Sequence, residues 1–432
     1  MKQSKKVFSV LVVFIFLGTM LYAGGGSQGR AGATKTLDFW HAQTDSPQIK
    51  QGAVDRFIAN NPGYKVNVSY MDGDSYEIKL AVAMNSGILP DVFFSWSGGK
   101  MISYTEANLI TDLTPYMNAN NYKNKFLDAA LAQATYDRKI WGVPAESSSI
   151  CVVFYNKDIF SKYNLKEPAT LRELEAICDT LVQNRVAPFA LGNKARWPGS
   201  MYFMYFVTRY AGLEPFSNAT MGKGSFTHPA FIYAGKKIQE WVNKKYFLEG
   251  FNSLDTNIGQ DRQPMYNGDA AMVVMGSWLI SQIQADNPGF AASKLGFFMW
   301  PKDESGINNT NAVVGTVGDN FYHISQKSTN KDKAFELITH LNDDKSVQDL
   351  ISIGKMPPVK GITLTNPLLM DLTKILAQAK EVQLWYDQSL SPEVSEVHKD
   401  TCQELFGLTI TPEVAAQRWQ DASARYLSSQ KR

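Results

Sequence analysis

Tryptophan placement is the feature of this sequence most suggestive of chemistry. Of nine tryptophans, four close a short apolar run: Trp40 after Leu37 to Phe39, Trp96 after Val92 to Phe94, Trp278 after Met272 to Met275, and Trp300 after Leu295 to Met299. If those runs are strands of open α/β sheets, the indoles lie beyond the carboxyl ends, where ligands of such sheets bind. A flat apolar ring there suits a ligand with flat apolar faces and a polar rim. A pyranose is such a ligand, because its C–H face stacks on an indole while its hydroxyls need fixed hydrogen-bond partners. Partners stand close in sequence: His41, Asp45, Ser97, Glu146 and Asp319. The competing reading is that these tryptophans cap the core, since Trp is highly buried on average. Trp141, Trp241 and Trp419 lie inside strand or helix patterns and are read as core. Two further stretches add Trp197, at the end of a polar loop from Asn193, and Trp385 with Asp387, in Leu384-Trp385-Tyr386-Asp387-Gln388.

Other chemistries are thinly represented. No pair among the five histidines has the i, i+4 spacing of a zinc helix, and His398 with Cys402 has no further Cys or His nearby. No phosphate-binding or dinucleotide glycine motif occurs in the right context, so no metal and no cofactor are expected. Two carboxylates among Glu146, Asp319 and Asp387 could serve as the acid and base of an exported glycoside hydrolase, which is the alternative to a binding role. A peptide or polyamine ligand on the same fold is another.

The composition fits a globular chain with an ample core: 432 residues, 44% hydrophobic, 19% charged and 12% aromatic. Formal net charge is +2. Lys2, Lys5 and Lys6 fall in residues 1–23, which read as a secretory signal with a basic start and an apolar stretch from Val7 to Leu21. Cleavage is expected near Ala23, leaving a soluble exported protein. No basic face of the kind a nucleic-acid partner requires is evident. Cys151, Cys178 and Cys402 are an odd count, compatible with core packing or with one disulfide but not with a disulfide framework.

The elements that must position these residues follow from periodicity. Residues 24–34 form a Gly/Ser/Ala tail, expected to be flexible. Strands at Leu37 to Trp40, Val66 to Tyr70 and Asp91 to Trp96 alternate with helices from Pro47 and around Tyr76, which predicts an α/β sheet with largely parallel strands. Thr170 and Glu173 form a capping box, and residues 197–250 are mostly helical by pattern. Apolar strands recur at Ala270 to Met275, Leu295 to Met299 and Phe321 to Ser325. The stretch Ile140 to Lys157 pairs a stiff Gly142-Val143-Pro144 with a buried run from Ile150 to Tyr155, reading as a first crossing between two lobes with Glu146 near the gap. Val313 to Asp319 and Met356-Pro357-Pro358-Val359 are the second and third crossings. The expected lobes are residues 35–146 with 314–356, and 147–313 with 357–432, a pair that moves about a hinge.

Several stretches in order then resemble one family. Gly87-Ile88-Leu89-Pro90-Asp91-Val92 resembles its strand entry, and Trp141-Gly142-Val143-Pro144 followed by Phe154 to Phe160 resembles its lobe crossing. Tyr266 to Met272 with Gly276-Ser277-Trp278 resembles its segment ending at a ligand-contacting aromatic, and Ile324-Ser325 with Asn330 to Ala334 resembles the hinge strand and helix that follow. The family is the extracellular solute-binding proteins of ABC importers, in the sugar-binding group that includes maltose-binding protein. The resemblance implies a two-lobed periplasmic-binding-protein-like fold of type II with three hinge crossings. It also implies a monomer that closes on a sugar and docks on a membrane permease, with no catalysis. By position it supports Trp40, His41, Trp96, Glu146, Trp278, Trp300 and Asp319 as cleft residues, and also Trp197, Trp385 and Asp387. Many members carry a lipid-attachment cysteine after the signal. This chain has none there, which favours a free periplasmic protein.

Overall fold

The structure, a computed structural model, describes residues 34–42, 46–307, 312–318 and 320–430. The expected secretory segment, the tail up to residue 33, and the candidates Asp45 and Asp319 lie outside the described residues.

Eleven strands among the described residues build two sheets: β1 (Lys35–His41), β2 (Tyr64–Tyr70), β3 (Val92–Trp96), β4 (Val143–Ala145), β5 (Ser149–Asn156), β6 (Ala187–Phe189), β7 (Ala270–Gly276), β8 (Leu295–Phe298), β9 (Val313–Thr316), β10 (Asn320–Ile324) and β11 (Val382–Gln383). The first sheet has the order β2-β1-β3-β10-β4, and the second β11-β9-β5-β7-β6, with β8 also on β5. In each sheet one strand runs against its neighbours. β10 is antiparallel to β3 and β4, and β5 is antiparallel to β7, β8 and β9. These two strands enter their sheets directly from the other one, whereas the parallel pairs β1/β2, β1/β3 and β6/β7 are joined through helices, as parallel connections require.

Each sheet has its own core. Leu37, Phe39, Phe93 and Tyr322 centre one, against helices Pro47–Asn60 and Lys331–Leu341. Phe154, Val274, Tyr205 and Trp241 centre the other, against helices Leu171–Gln183, Trp197–Ala211 and Pro229–Asn243. All eight residues of β5 are buried, the continuous apolar run of a strand covered on both faces. The Thr170/Glu173 capping box forms. Cys151, Cys178 and Cys402 are buried free thiols.

Three connections join the units. The first, from Ala145 to Ser149, lies beside the second, because β4 pairs β10 in one sheet and β5 pairs β9 in the other. Val313–Thr316 is thus a strand of the second sheet, so the chain leaves that sheet after Thr316, a few residues after the expected boundary. The third begins later than 356: Met356 packs in the second core but Val359 in the first, and Lys360 N donates to Lys125 O. Ser148 N donates to Met356 O (2.6 Å), Met356 N to Ser147 Oγ (3.1 Å) and Gly318 N to Ser148 Oγ (3.3 Å), which ties the first connection to both others.

Candidate functional site

A cleft of about 1190 Å³, counting its solvent-open part, lies between the two units. Its aromatic wall comes from the second. Trp197 opens the helix Trp197–Ala211, Trp278 follows β7, and Trp385 follows β11. Their rings form an edge-to-face run, with centroids 6.1 Å apart for Trp197–Trp278 and 5.4 Å for Trp278–Trp385. Gly276 makes this possible, because any Cβ there would collide with the Trp278 indole. Met201 and Met204, on the same helix as Trp197, line the cleft beside it.

The facing wall is polar and mostly acidic. Asp72, Asp74 and Glu77 come from the start of the helix Gly73–Ser86, and Trp96 stands at the end of β3. Its ring packs edge-on against Phe94 (5.3 Å) with Lys100 Nζ 4.6 Å from its centroid. Ser147, Ser149, Asn320 and Lys355 line the cleft from the crossings, and Asn257, Gln282, Asp387 and Gln388 from the second unit. Ser149 is 1% exposed, and its buried hydroxyl oxygen has no partner among the described residues.

The units also touch directly, and the contact is ionic. Glu77 accepts from Lys100 of its own unit (2.7 Å) and from Lys399 of the other (3.2 Å), while Lys399 also pairs with Glu396 (2.6 Å). Burial pushes the Glu77 carboxyl up, but the two lysines outweigh it and hold its pKa down to about 2. Asp74 has burial and the nearby Glu77 and Asp255 acting in one direction, against Lys399 and a hydrogen bond from Asn257, and is pushed up to about 6. Burial also raises Asp387, against the opposing pull of Lys100 and Lys399. Beside these groups Gly98 and Gly99 lie flat against the carbonyls of Gln388 and Leu390, where a Cβ on either glycine would clash with backbone.

Of the twelve residues expected from sequence, Trp96, Trp197, Trp278, Trp385 and Asp387 line the cleft. Trp300 does not. It is 2% exposed, stacked on Tyr205 (5.1 Å) and Trp241 (5.6 Å), with Arg209 donating to its carbonyl, so it is a core residue of the second unit. Trp40 faces away as well. Alternation along β1 turns Leu37, Phe39 and His41 inward, and Trp40 lies on the other face under the Lys79 ammonium (3.9 Å). Ser97 is fully buried and does not line the cleft.

His41 and Glu146 form an internal ion cluster instead of lining the cleft. Glu146 is 2% exposed and takes His41 Nε2 (2.9 Å), Lys50 and Lys355 (2.8 Å). Burial raises the Glu146 pKa, but Lys355 and Lys50, with the His41 hydrogen bond, outweigh it and hold the group well below the carboxylate range. Burial lowers His41 despite its acidic neighbour. The Glu146 backbone sits at φ +51°, a left-handed conformation that costs a non-glycine residue. The cluster binds this strained turn of the first crossing to Lys355 near the third. Sequence reading missed Asp72, Asp74, Glu77 and Asn257, because acids and amides at helix starts look like ordinary caps; Asp72 is one, accepting from Ser75 N at 3.0 Å.

With this geometry in place, known proteins give the frame. The sequence profile of bacterial extracellular solute-binding proteins matches residues 52–373. An uncharacterized ABC transporter extracellular-binding protein of Pyrococcus horikoshii is 25% identical over 63% of this chain and 64% of its own length, so the chain aligns with just under two thirds of that relative. The sn-glycerol-3-phosphate-binding periplasmic protein of Escherichia coli is 22% identical over 69% of each chain. A structure solved in work on xylan utilization by the thermophilic bacterium Caldanaerobius polysaccharolyticus superposes with TM-score 0.83 at 29% identity, covering 89% of this chain and 99% of the other. A chitin oligosaccharide binding protein superposes at 0.84 and 22% identity, covering 91% and 99%. The chain belongs to the family of bacterial extracellular solute-binding proteins.

Proposed function

We propose that this protein is the carbohydrate receptor of an ABC importer, binding an oligosaccharide between two lobes and presenting it to a membrane permease. The observation that carries this reading is the run of three indoles facing acids and amides across one cleft. Stacking on Trp197, Trp278 and Trp385 takes up the C–H faces of successive sugar rings, and the opposite wall takes the hydroxyls. Similarity to proteins concerned with xylan utilization and chitin oligosaccharides supports the same class of ligand. The lobes are inferred to be residues 35–146 with about 320–360, and 149–316 with 361–430. Contacts drawn from both sides make the closed form favoured when sugar is present.

A hydrolytic reading finds no support in Glu146, whose carboxylate is engaged by two lysines and His41 and stays ionised. The basic and apolar N-terminus favours export, with removal near Ala23, and work as a monomer in the periplasm. No helix among the described residues is long and apolar enough to cross a membrane. The test is a thermal-shift screen of the mature protein against xylo- and chito-oligosaccharides, raffinose, peptides and polyamines. A ligand at 100 times its Kd adds about 2.7 kcal/mol of stability. A sugar should raise Tm without being shortened, and a shift from peptides or polyamines alone would refute the assignment.

A further inference from the structure

Resting on the receptor reading, we propose that the cleft is a charge filter in which Asp74 of one lobe and Asp387 of the other admit uncharged oligosaccharides and reject those bearing uronic acids. Four carboxylates line the cleft, Asp72, Asp74, Glu77 and Asp387, against one lysine among the described residues, Lys355. The Lys355 side chain is 1% exposed and sets its ammonium on Glu146 at 2.8 Å. Two of the acids are committed: Asp72 caps its helix, and Glu77 holds Lys100 and Lys399.

Asp74 and Asp387 take part in no ion pair within 4.0 Å among the described residues. Asp74 faces Glu77, Lys399 and Asp255, with Asn257 as its hydrogen-bond partner, and Lys399 is already bonded to Glu77 and Glu396. Asp387 faces Lys100 and Lys399, both already bonded to Glu77. Among the described residues the walls thus offer acceptors from opposite sides and no uncommitted cation. That the cavity is built for a hydroxylated ligand is independently indicated by Ser149, whose buried oxygen has no partner among the described residues. Sugar hydroxyls donate to both carboxylates. A sugar carboxylate would meet like charge in a space that closure dries, the repulsive element on which discrimination between otherwise similar ligands depends.

The experiment extends the thermal-shift screen with isothermal titration. Neutral probes are xylotetraose, chitotetraose, raffinose and stachyose; acidic probes are glucuronate-branched xylotetraose and trigalacturonate, each also with its carboxylates converted to primary amides. A neutral sugar should raise Tm, and an acidic probe should bind at least about tenfold more weakly than its own amide, since like-charge juxtaposition disfavours wrong partners strongly. Asp74→Asn and Asp387→Asn should narrow that gap. The acid-to-amide comparison is made on the unaltered protein and does not depend on the variants folding. An acidic probe that binds as tightly as its amide overturns the filter and leaves the receptor standing. If no sugar of either kind moves Tm, the receptor reading falls and the filter with it.

Discussion

Replacing Lys399 with methionine should loosen the closed form without unfolding either lobe. Lys399 is 3% exposed and reaches Glu77 of the opposite lobe at 3.2 Å. At that distance the gross attraction is about 5 kcal/mol for an effective dielectric near 20. Desolvating the two ions offsets most of it, as for any buried pair. The offset is incomplete because both ions are already paired within their own lobes, Glu77 with Lys100 and Lys399 with Glu396. A net contribution of about 1–2 kcal/mol to closure remains, a factor of about 5–30 in a two-state ratio. Lys399→Met keeps the aliphatic stem and removes the ammonium. Titration with the neutral sugar returned by the screen should show Kd weakened by that factor, with a flatter salt dependence. X-ray scattering at a sugar concentration near the wild-type Kd should show a larger radius of gyration for the variant than for wild type. Lys244→Met breaks an exposed pair with Glu240 within one helix and should leave Kd unchanged. A Lys399→Met variant with Kd within twofold of wild type and the same scattering curve would refute the reasoning.

Four other outcomes are expected. Trp278→Ala should cost sugar binding about 2 kcal/mol or more, as for a buried aromatic anchor, with little change in Tm. Trp300→Ala should instead lower stability by about 3–5 kcal/mol through a core cavity, and titration of its folded fraction should return an unchanged Kd. Gly99→Val places side-chain atoms on the Leu390 carbonyl, so scattering with saturating sugar should keep the radius of the open form. The Asp74 pKa, raised from 3.8 to about 6, means that the closed state binds the proton more tightly than a solvated carboxyl does. Closure therefore gains as pH falls through 6, and loses that gain as pH rises. Affinity for a neutral sugar should tighten by up to about tenfold between pH 7 and pH 5, and Asp74→Asn should flatten the profile.

How far the sequence announces this site depends on which physical rule positions each residue. Trp96 and Trp278 were legible because they end strands whose apolar runs are unambiguous, and a strand end at a sheet's carboxyl edge opens on the cleft. Trp300 ends a similar run. Its segment, however, passes beneath the helix Trp197–Ala211, where Tyr205 and Arg209 enclose it, and no local pattern encodes which helix covers which strand. Trp40 failed through alternation: its neighbours Phe39 and His41 take the buried face, and period two then sends the indole to the other. Register was readable there, yet the aromatic character of the residue outweighed it.

Glu146 marks a deeper boundary. Its position at a lobe crossing was legible, but its role was not, because Lys50 and Lys355 are 96 and 209 residues away and nothing local pairs them with it. The same holds for Glu77 and Lys399, which lie 322 residues apart. Fold class follows from short-range periodicity, which a single chain displays in full. Charge pairing across lobes follows from topology, and topology brings residues together only after three crossings have been made. The acids that matter most to the cleft therefore look in sequence like helix caps and solvated faces. They acquire a shared function only when Gly98 and Gly99 allow one backbone to lie against the other, which makes that pair of glycines, rather than any charged residue, the local condition for the closed site.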